Sequence, residues 1–272
     1  MPSLVGSEMC IRDSDKAAHA RLEQERLVAS TGELKKKISA LNEEKNRLLM
    51  ENREIKDKFL RFRMQVVEAY CELFGISYLY YMTPLENLES ILQNGLLCLN
   101  LIKSSNINHV SMSIKSIQEV RSRRVINGKS ANDFVPLFFS PKTPMLSKIK
   151  HENLYCQEKI LYICIDREIL AEEGVCFSDG NVANYNTKIY CDLNDLRKLN
   201  WKIIRDTSWK RKNPFEEQEA KRIKGAEVLV PKRVDPDRFR KIVVYDQTMA
   251  DFLRAKFTSL SIPIEVNREF YF

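Results

Sequence analysis

No Cys-x-x-Cys pair occurs in this chain, and its seven cysteines (Cys10, Cys71, Cys98, Cys156, Cys164, Cys176 and Cys191) form an odd set without a histidine-rich neighbourhood. That spacing excludes the usual zinc modules and suggests no disulfide framework; it suits a reducing compartment. Glycine is scarce, with 8 in 272 residues, and no glycine-rich phosphate loop is present. Neither a dinucleotide fingerprint nor a P-loop therefore applies. No apolar run approaches the roughly 18–20 residues that span a bilayer, and the first residues lack a basic stretch followed by an apolar one. These absences point to a soluble, cytoplasmic protein with no membrane partner and no metal.

What is present is a charged, globular composition: 44% hydrophobic and 30% charged residues, with a formal net charge of +7. A chain of this length suits one domain of about 200 residues plus an appendage. The charge is uneven. Between Arg197 and Lys241 stand 15 Lys and Arg against 7 Asp and Glu, about +8 for that stretch alone. Such a segment attracts a polyanion or forms a solvated face; charge alone does not choose.

Three regions follow from the pattern. Residues 1–14, MPSLVGSEMCIRDS, have neither helical periodicity nor loop logic and are set aside as a non-native leader. Residues 15–74 are nearly free of Gly and Pro and dense in Glu, Lys, Leu and Arg, which predicts helix. Leu34, Ile38, Leu41, Leu48, Ile55, Phe59, Phe62 and Val66 recur at alternating steps of four and three, with Lys45 and Asn52 as polar members. This is a heptad seam, and an Asn at a core position favours a parallel homodimer; the same stripe would permit a helix folded back on its own domain. Ser30 and Glu33 fit a capping box, so the long helix is expected to restart near Thr31.

Residues 75–272 read differently, as short apolar runs between turns. ISYLYYM, FVPLFFS, KILYICID, AEVLVP and KIVVYD predict strands, whereas LENLESILQNGL and SIKSIQEVRSRR predict helices. The mixture argues for an α+β domain rather than a doubly wound parallel sheet.

Four blocks of this domain, in order, resemble the DarT family of DNA-modifying toxins. They are YMTPLENLESILQNGLL, NDFVPLFFSPKTPML (similar to D-Y-V-P-F-Y-F-x-x-x-S-P-M-L), FSDGNVA (similar to T-D-G-N-A) and KRIKGAEVLVPKRV (similar to R-x-x-Q-A-E-F-L-V). The resemblance implies an ADP-ribosyltransferase-like split β-sheet domain that binds NAD as co-substrate between two small sheets. It further implies attachment of ADP-ribose to thymine in single-stranded DNA, with a macrodomain antitoxin of the DarG type as partner, in a bacterial toxin or phage-defence setting.

By the same resemblance Glu227 is the catalytic carboxylate. A carboxylate at a strand end can hold the nicotinamide ribose, favour the oxocarbenium-like state and assist proton removal from the acceptor base. Arg121 is the NAD-contacting arginine, whose guanidinium offers forked donors to pyrophosphate or ribose. Thr83, Met145 and Leu146 would line the NAD pocket, the last two on its nicotinamide side. The family carries a histidine where this chain has Tyr81, and none of His19, His109 or His151 is placed to replace it. Either Tyr81 grips NAD by a different hydrogen bond, or activity is weakened or lost. For the nucleic acid the candidates are Trp209, Lys210, Arg211 and Lys212, an aromatic beside three cations suited to stacking and phosphate contact, together with Arg123 and Arg124. The competing readings are a catalytically weakened nucleic-acid-binding coiled-coil protein, or a transferase acting on RNA or protein.

Overall fold

The computed structural model describes residues 5–112 and 115–272, with the backbone alone for residues 5–15 and 17. The chain divides into two compact units, Met1–Phe59 and Leu60–Phe272. The first four residues of the segment set aside as a leader lie outside the described residues; from Val5 that segment is helical.

Helix α1 (Val5–Phe74) contains no proline and runs unbroken through Gly32. The expected restart at Thr31 is therefore corrected: Thr31 Oγ1 donates to the Val28 carbonyl at 2.8 Å, a bond back into the preceding turn of a continuing helix. The strong helix formers on both sides outweigh the roughly 1 kcal/mol that one glycine costs. In the first unit the seam residues Leu34, Ile38, Leu41, Leu48, Ile55 and Phe59 are all exposed.

In the second unit the last turns of α1 are part of the domain. Val67 and Cys71 are buried in its main core, with Met64, Tyr70 and Phe74 packed partly against it. This stripe lies one residue out of phase with Phe62 and Val66, a rotation of about 100° around the helix. The domain thus begins at Leu60, ahead of the boundary at residue 75 that the glycine suggested.

The remaining elements follow in order: β1 (Leu79–Pro84), α2 (Leu88–Asn94), β2 (Leu96–Leu97), α3 (Leu99–Ser104), α4 (Lys115–Arg123), β3 (Val125–Ile126), β4 (Lys129–Ser130), β5 (Phe134–Phe138), α5 (Pro144–His151), β6 (Ile160–Ile165), β7 (Cys176–Ser178) and β8 (Ile189–Tyr190). Then come α6 (Trp201–Arg205), α7 (Pro214–Lys224), β9 (Glu227–Pro231), β10 (Arg233–Val234), β11 (Phe239–Val244), α8 (Gln247–Lys256) and β12 (Ile264–Val266). Ser113 and Ile114, the start of the expected helix SIKSIQEVRSRR, lie outside the described residues.

Eight strands form the main sheet in the order β12-β11-β6-β1-β5-β9-β7-β8. Its pairings are antiparallel except β11 with β12. All six residues of β6 are buried, which is why its apolar run does not alternate: both faces are covered. The sheet is split in the middle. Whereas β1 pairs with β6 along its whole length, it meets β5 at a single register pair, Tyr80 with Phe138. The two four-stranded halves therefore separate beside that pair, as the α+β split-sheet expectation requires.

Local signals place the elements around this split. Asn127 and Gly128, with φ of 47° and 76°, make the two-residue turn joining β3 to β4. Thr143 caps α5 by accepting the Leu146 N–H at 3.3 Å, with Pro144 in the first turn. Asn213 caps α7 through the Phe215 N–H at 2.9 Å, with Glu216 and Glu217 at its positive end. The cysteine expectation is corrected here, because Cys176 and Cys191 form a disulfide. Their pairing comes from the β7–β8 register, Phe177 opposite Tyr190, which brings the flanking residues together whatever their spacing in sequence.

Candidate active site

A cleft of about 460 Å³ opens where β1 and β5 part, walled by Tyr81, Thr83 and Pro84 on one side and Phe134, Pro136 and Phe138 on the other. Its volume is in the range of small-molecule sites. Glu227 lies at its floor, on the first residue of β9 opposite Phe138, and is only 2% exposed. Its backbone N–H donates to Ser178 Oγ at 3.0 Å. The carboxylate is held at both ends: Oε2 accepts from Arg121 Nη1 at 2.7 Å and Oε1 accepts the Val182 N–H at 2.9 Å. Both oxygens thus have a donor, so burial does not strip the carboxylate of partners.

Arg121, from the last turn of α4, also lines the cleft. Its second terminal nitrogen, Nη2, is buried and has no hydrogen-bond partner among the described residues. A buried guanidinium with a spare donor fits a ligand bringing phosphate or hydroxyl oxygens. Lys148 and Lys221 line the same cleft, so three cations face one carboxylate there and suit an anionic ligand. Burial pushes the Tyr81 phenol above its ordinary value, keeping it a neutral hydrogen-bonding group. Thr83 Oγ1 is buried and accepts from Asn87 Nδ2 at 3.3 Å. The Asn87 side chain also bonds both backbone groups of Val110, accepting at 2.8 Å and donating at 2.9 Å, which ties the rim loop to the end of β1.

The profile of one family, described as "ssDNA thymidine ADP-ribosyltransferase, DarT", matches residues 80–272. The chain belongs to the DarT family. It is 30% identical over 195 residues to a DNA ADP-ribosyl transferase–DNA ADP-ribosyl glycohydrolase fusion protein of Thermosipho africanus, covering 71% of this chain and 49% of the relative. Thus the chain spans about half of that fusion's length. A DNA ADP-ribosyl transferase of Thermus sp. is 29% identical over 181 residues, covering 64% of this chain and 83% of the relative. Among solved structures, Thermosipho africanus DarTG in complex with ADP-ribose aligns with a TM-score of 0.65 at 27% identity, over 72% of this chain and 51% of that one. Thermus sp. 2.9 DarT in complex with ADP-ribosylated ssDNA aligns with a TM-score of 0.65 at 25% identity, over 73% and 97%.

Seen as a DarT domain, the structure brings Glu227, Arg121, Tyr81, Thr83 and Met145 to one cleft. It does not bring Leu146 there: that side chain is fully buried in the core cluster around Tyr162 and Tyr271. His109 also lines the cleft, from the rim loop. Of the nucleic-acid candidates, Trp209 is corrected most clearly. Only 9% exposed, its ring packs edge-on against Phe272 with centroids 5.6 Å apart and offers no free face for a base. Arg211 is spent on its own turn, with Nη2 on Asp206 Oδ2 at 2.9 Å and Nη1 on the Lys210 carbonyl at 2.8 Å. Arg124 donates to the Thr187 carbonyl and so braces a loop. Lys210, Lys212 and Arg123 are exposed and line no part of the cleft. The sequence reading missed Asn87, Asn181 and Lys221 as cleft residues. All three lie within blocks that carry the resemblance: Asn87 in YMTPLENLESILQNGLL, Asn181 in FSDGNVA and Lys221 in KRIKGAEVLVPKRV.

Among the described residues no group of three His, Cys, Asp or Glu is placed to hold a metal ion, and no helix is long and apolar enough to cross a membrane.

Proposed function

We propose that this chain consumes NAD and attaches its ADP-ribose to a thymine base of single-stranded DNA. The observation that carries the reading is the Glu227 carboxylate, fixed between Arg121 and the Val182 N–H at the floor of the split-sheet cleft in a DarT-family domain. The Thermus sp. 2.9 DarT solved with ADP-ribosylated ssDNA supports the acceptor class. The same intact constellation favours an enzyme over a pure binding module, which has no use for a buried, doubly held carboxylate.

NAD supplies the ADP-ribosyl group and the nicotinamide leaving group. Arg121 Nη2 is the donor left over for an oxygen of that ligand, and Tyr81 and Thr83 offer hydroxyls on the opposite wall. Glu227 keeps an acceptor lone pair on each oxygen beyond those already used, enough to take a ribose hydroxyl. Its negative charge stabilises positive charge developing on the ribose carbon as the bond to nicotinamide lengthens. The same carboxylate is placed to receive the proton that the acceptor nitrogen loses.

The exposed Lys210, Lys212 and Arg123 supply non-specific phosphate attraction for the strand. The exposed seam of α1 supports a homodimer through a parallel coiled coil, because the turns that dock on the domain use a different stripe. The fused glycohydrolase of the Thermosipho africanus relative supports a macrodomain antitoxin of the DarG type as partner, and a role as toxin or defence effector. A cytoplasmic location follows from DNA as acceptor. The Cys176–Cys191 bond then stands against the reducing poise of that compartment, and thiol titration of freshly purified protein measures its state.

The reading is tested by incubating purified protein with NAD labelled in the adenylate and separate pools of single-stranded DNA, RNA and protein. Label on the DNA pool alone is expected. Label on RNA or protein alone would move the activity to that acceptor, and label on none would leave a binding module.

A further inference from the structure

The carboxylate of Glu227 takes one of its two hydrogen bonds from the backbone of a loop rather than from a side chain. That loop, residues 179–188, connects β7 to β8, and its fastening is unusually dense. Asp179 accepts the Lys188 N–H on Oδ1 at 2.9 Å, while the Asp179 N–H donates to the Lys188 carbonyl at 3.1 Å, closing the base of the loop. The Ala183 N–H donates to Asn181 Oδ1 and the Asn186 N–H to Asn184 Oδ1, so side-chain turns stiffen the interior. The disulfide between Cys176 and Cys191 ties the two strands just below it.

A single residue outside the loop gathers these parts. Arg222, in the last turn of α7, has a side chain only 9% exposed. Its Nη1 donates to Asp179 Oδ1 at 2.8 Å and to Thr187 Oγ1 at 3.1 Å, one partner from each end of the loop. Its Nη2 is anchored on Glu219 Oε1 at 2.8 Å, one turn earlier on the same helix. The Arg222 carbonyl accepts the Asn181 N–H at 2.9 Å, directly before Val182. Gly180 passes over this residue with no room to spare. A Cβ there would run into Arg222 Nη1 and lie 2.9 Å from the Arg222 carbonyl oxygen and 3.0 Å from Thr187 Oγ1. Ser178 completes the link, donating to the Gly180 carbonyl at 2.7 Å while accepting the Glu227 N–H at 3.0 Å.

We propose that Arg222 is a positioning residue for the transfer step: it clamps the turn 179–181 so that the Val182 N–H meets Glu227 Oε1 and sets the rotamer of that carboxylate. The assignment rests on the catalytic role of Glu227 given above. Arg222 does not line the NAD cleft, so its contribution is to geometry rather than to ligand binding. Four residues separate it from Glu227, and α7 and β9 adjoin across Gly225 and Ala226. The clamp and the carboxylate are therefore set on one short, stiff piece of chain.

The test uses the full chain with Arg222→Met, Arg222→Lys and Gly180→Ala. Steady-state transfer to single-stranded DNA gives kcat and the KM for NAD, calorimetry gives the NAD Kd, and amide exchange gives the protection of the 179–188 loop. For Arg222→Met the expected result is a kcat lower by about 10²-fold, the scale of a misplacement near 1 Å, with Kd and KM for NAD within about twofold. Arg222→Lys keeps the charge and loses the fork, so it recovers part of kcat. Gly180→Ala removes no charge and displaces the clamp, and it should reproduce the kcat loss even if Arg222→Met folds poorly. In each, exchange at Val182 speeds up while β6 keeps its protection. A parent-like kcat with unchanged loop protection in Arg222→Met and Gly180→Ala would overturn the assignment, as would kcat and NAD affinity falling together with the melting temperature. If the parent transfers no label, the function reading fails, and loop exchange alone decides the clamp.

Discussion

Glu227→Gln keeps the shape of the side chain and changes what its two terminal atoms can do. In the parent both oxygens accept, one from Arg121 Nη1 at 2.7 Å and the other from the Val182 N–H at 2.9 Å. Glutamine has one acceptor and one NH₂. With its oxygen toward Val182, the NH₂ meets a guanidinium, donor against donor; flipped, it meets the Val182 N–H instead. One charged hydrogen bond is lost in either pose, costing about 1.5–3 kcal/mol. The figure stays below the roughly 3–5 kcal/mol of a fully buried broken ion pair, because Arg121 is 13% exposed and can turn into the cleft. For a domain of this size that is a fall in melting temperature of about 3–12 °C. Transfer should fall by at least about 10²–10³-fold, the usual cost of removing one preorganised electrostatic group. Thermal unfolding followed by circular dichroism reads the first number, and label transfer from NAD to single-stranded DNA reads the second. A variant that melts with the parent would refute the two-donor geometry, and one that transfers at the parent rate would remove Glu227 from the chemistry.

Lys210→Ala with Lys212→Ala should weaken single-stranded DNA binding across sequences and lower the salt slope by about 0.7 per charge removed; an unchanged slope would make both a solvated face. Truncation to residues 60–272 should give a folded monomer where the full chain is a dimer by light scattering, while truncation to 71–272 should also cost about 1.5–3 kcal/mol by removing buried Val67; a monomeric full chain would sink the coiled-coil dimer. Tyr81→Phe should weaken NAD binding by about 0.5–1.5 kcal/mol if the phenol holds a ribose hydroxyl, and calorimetry indistinguishable from the parent would exclude that bond. Lys224, buried with Nζ on Ser140 Oγ and the Ile204 carbonyl at 2.7 Å each, is held down to a pKa of about 8 by desolvation. Its folded pKa lies below the ordinary 10.5, so the unfolded chain binds more protons in that window and Lys224 adds stability as pH rises through it. The stability gap between parent and Lys224→Met should therefore shift in favour of the parent from pH 8 to 10, and parallel curves would contradict the burial argument.

The sequence made some of this visible and hid the rest for definite reasons. The β6 strand showed as an unbroken apolar run because a strand covered on both faces needs no polar positions. Glu227 and Arg121 showed through the motifs around them, and the structure joins them as an ion pair. Val182 could not show, since what it contributes is a backbone N–H that every non-proline residue has. Trp209 looked like a stacking platform beside three cations, because its neighbours in sequence are polar while its neighbour in space, Phe272, is not. The Cys176–Cys191 bond depended on strand register, which the spacing of cysteines does not encode. At the end of α1 the seam continues on paper through Phe62 and Val66, yet the stripe that docks is the adjacent one, set by where the domain's core offers room.

The central claim, a thymine acceptor modified at the expense of NAD, is tested most directly by digesting treated single-stranded DNA to nucleosides and weighing the products by mass spectrometry. The account predicts an adduct of thymidine heavier by one ADP-ribosyl group, formed with release of one nicotinamide and absent with Glu227→Gln. Nicotinamide release with unmodified thymidine, or the same adduct from the Glu227→Gln protein at the parent yield, would contradict it.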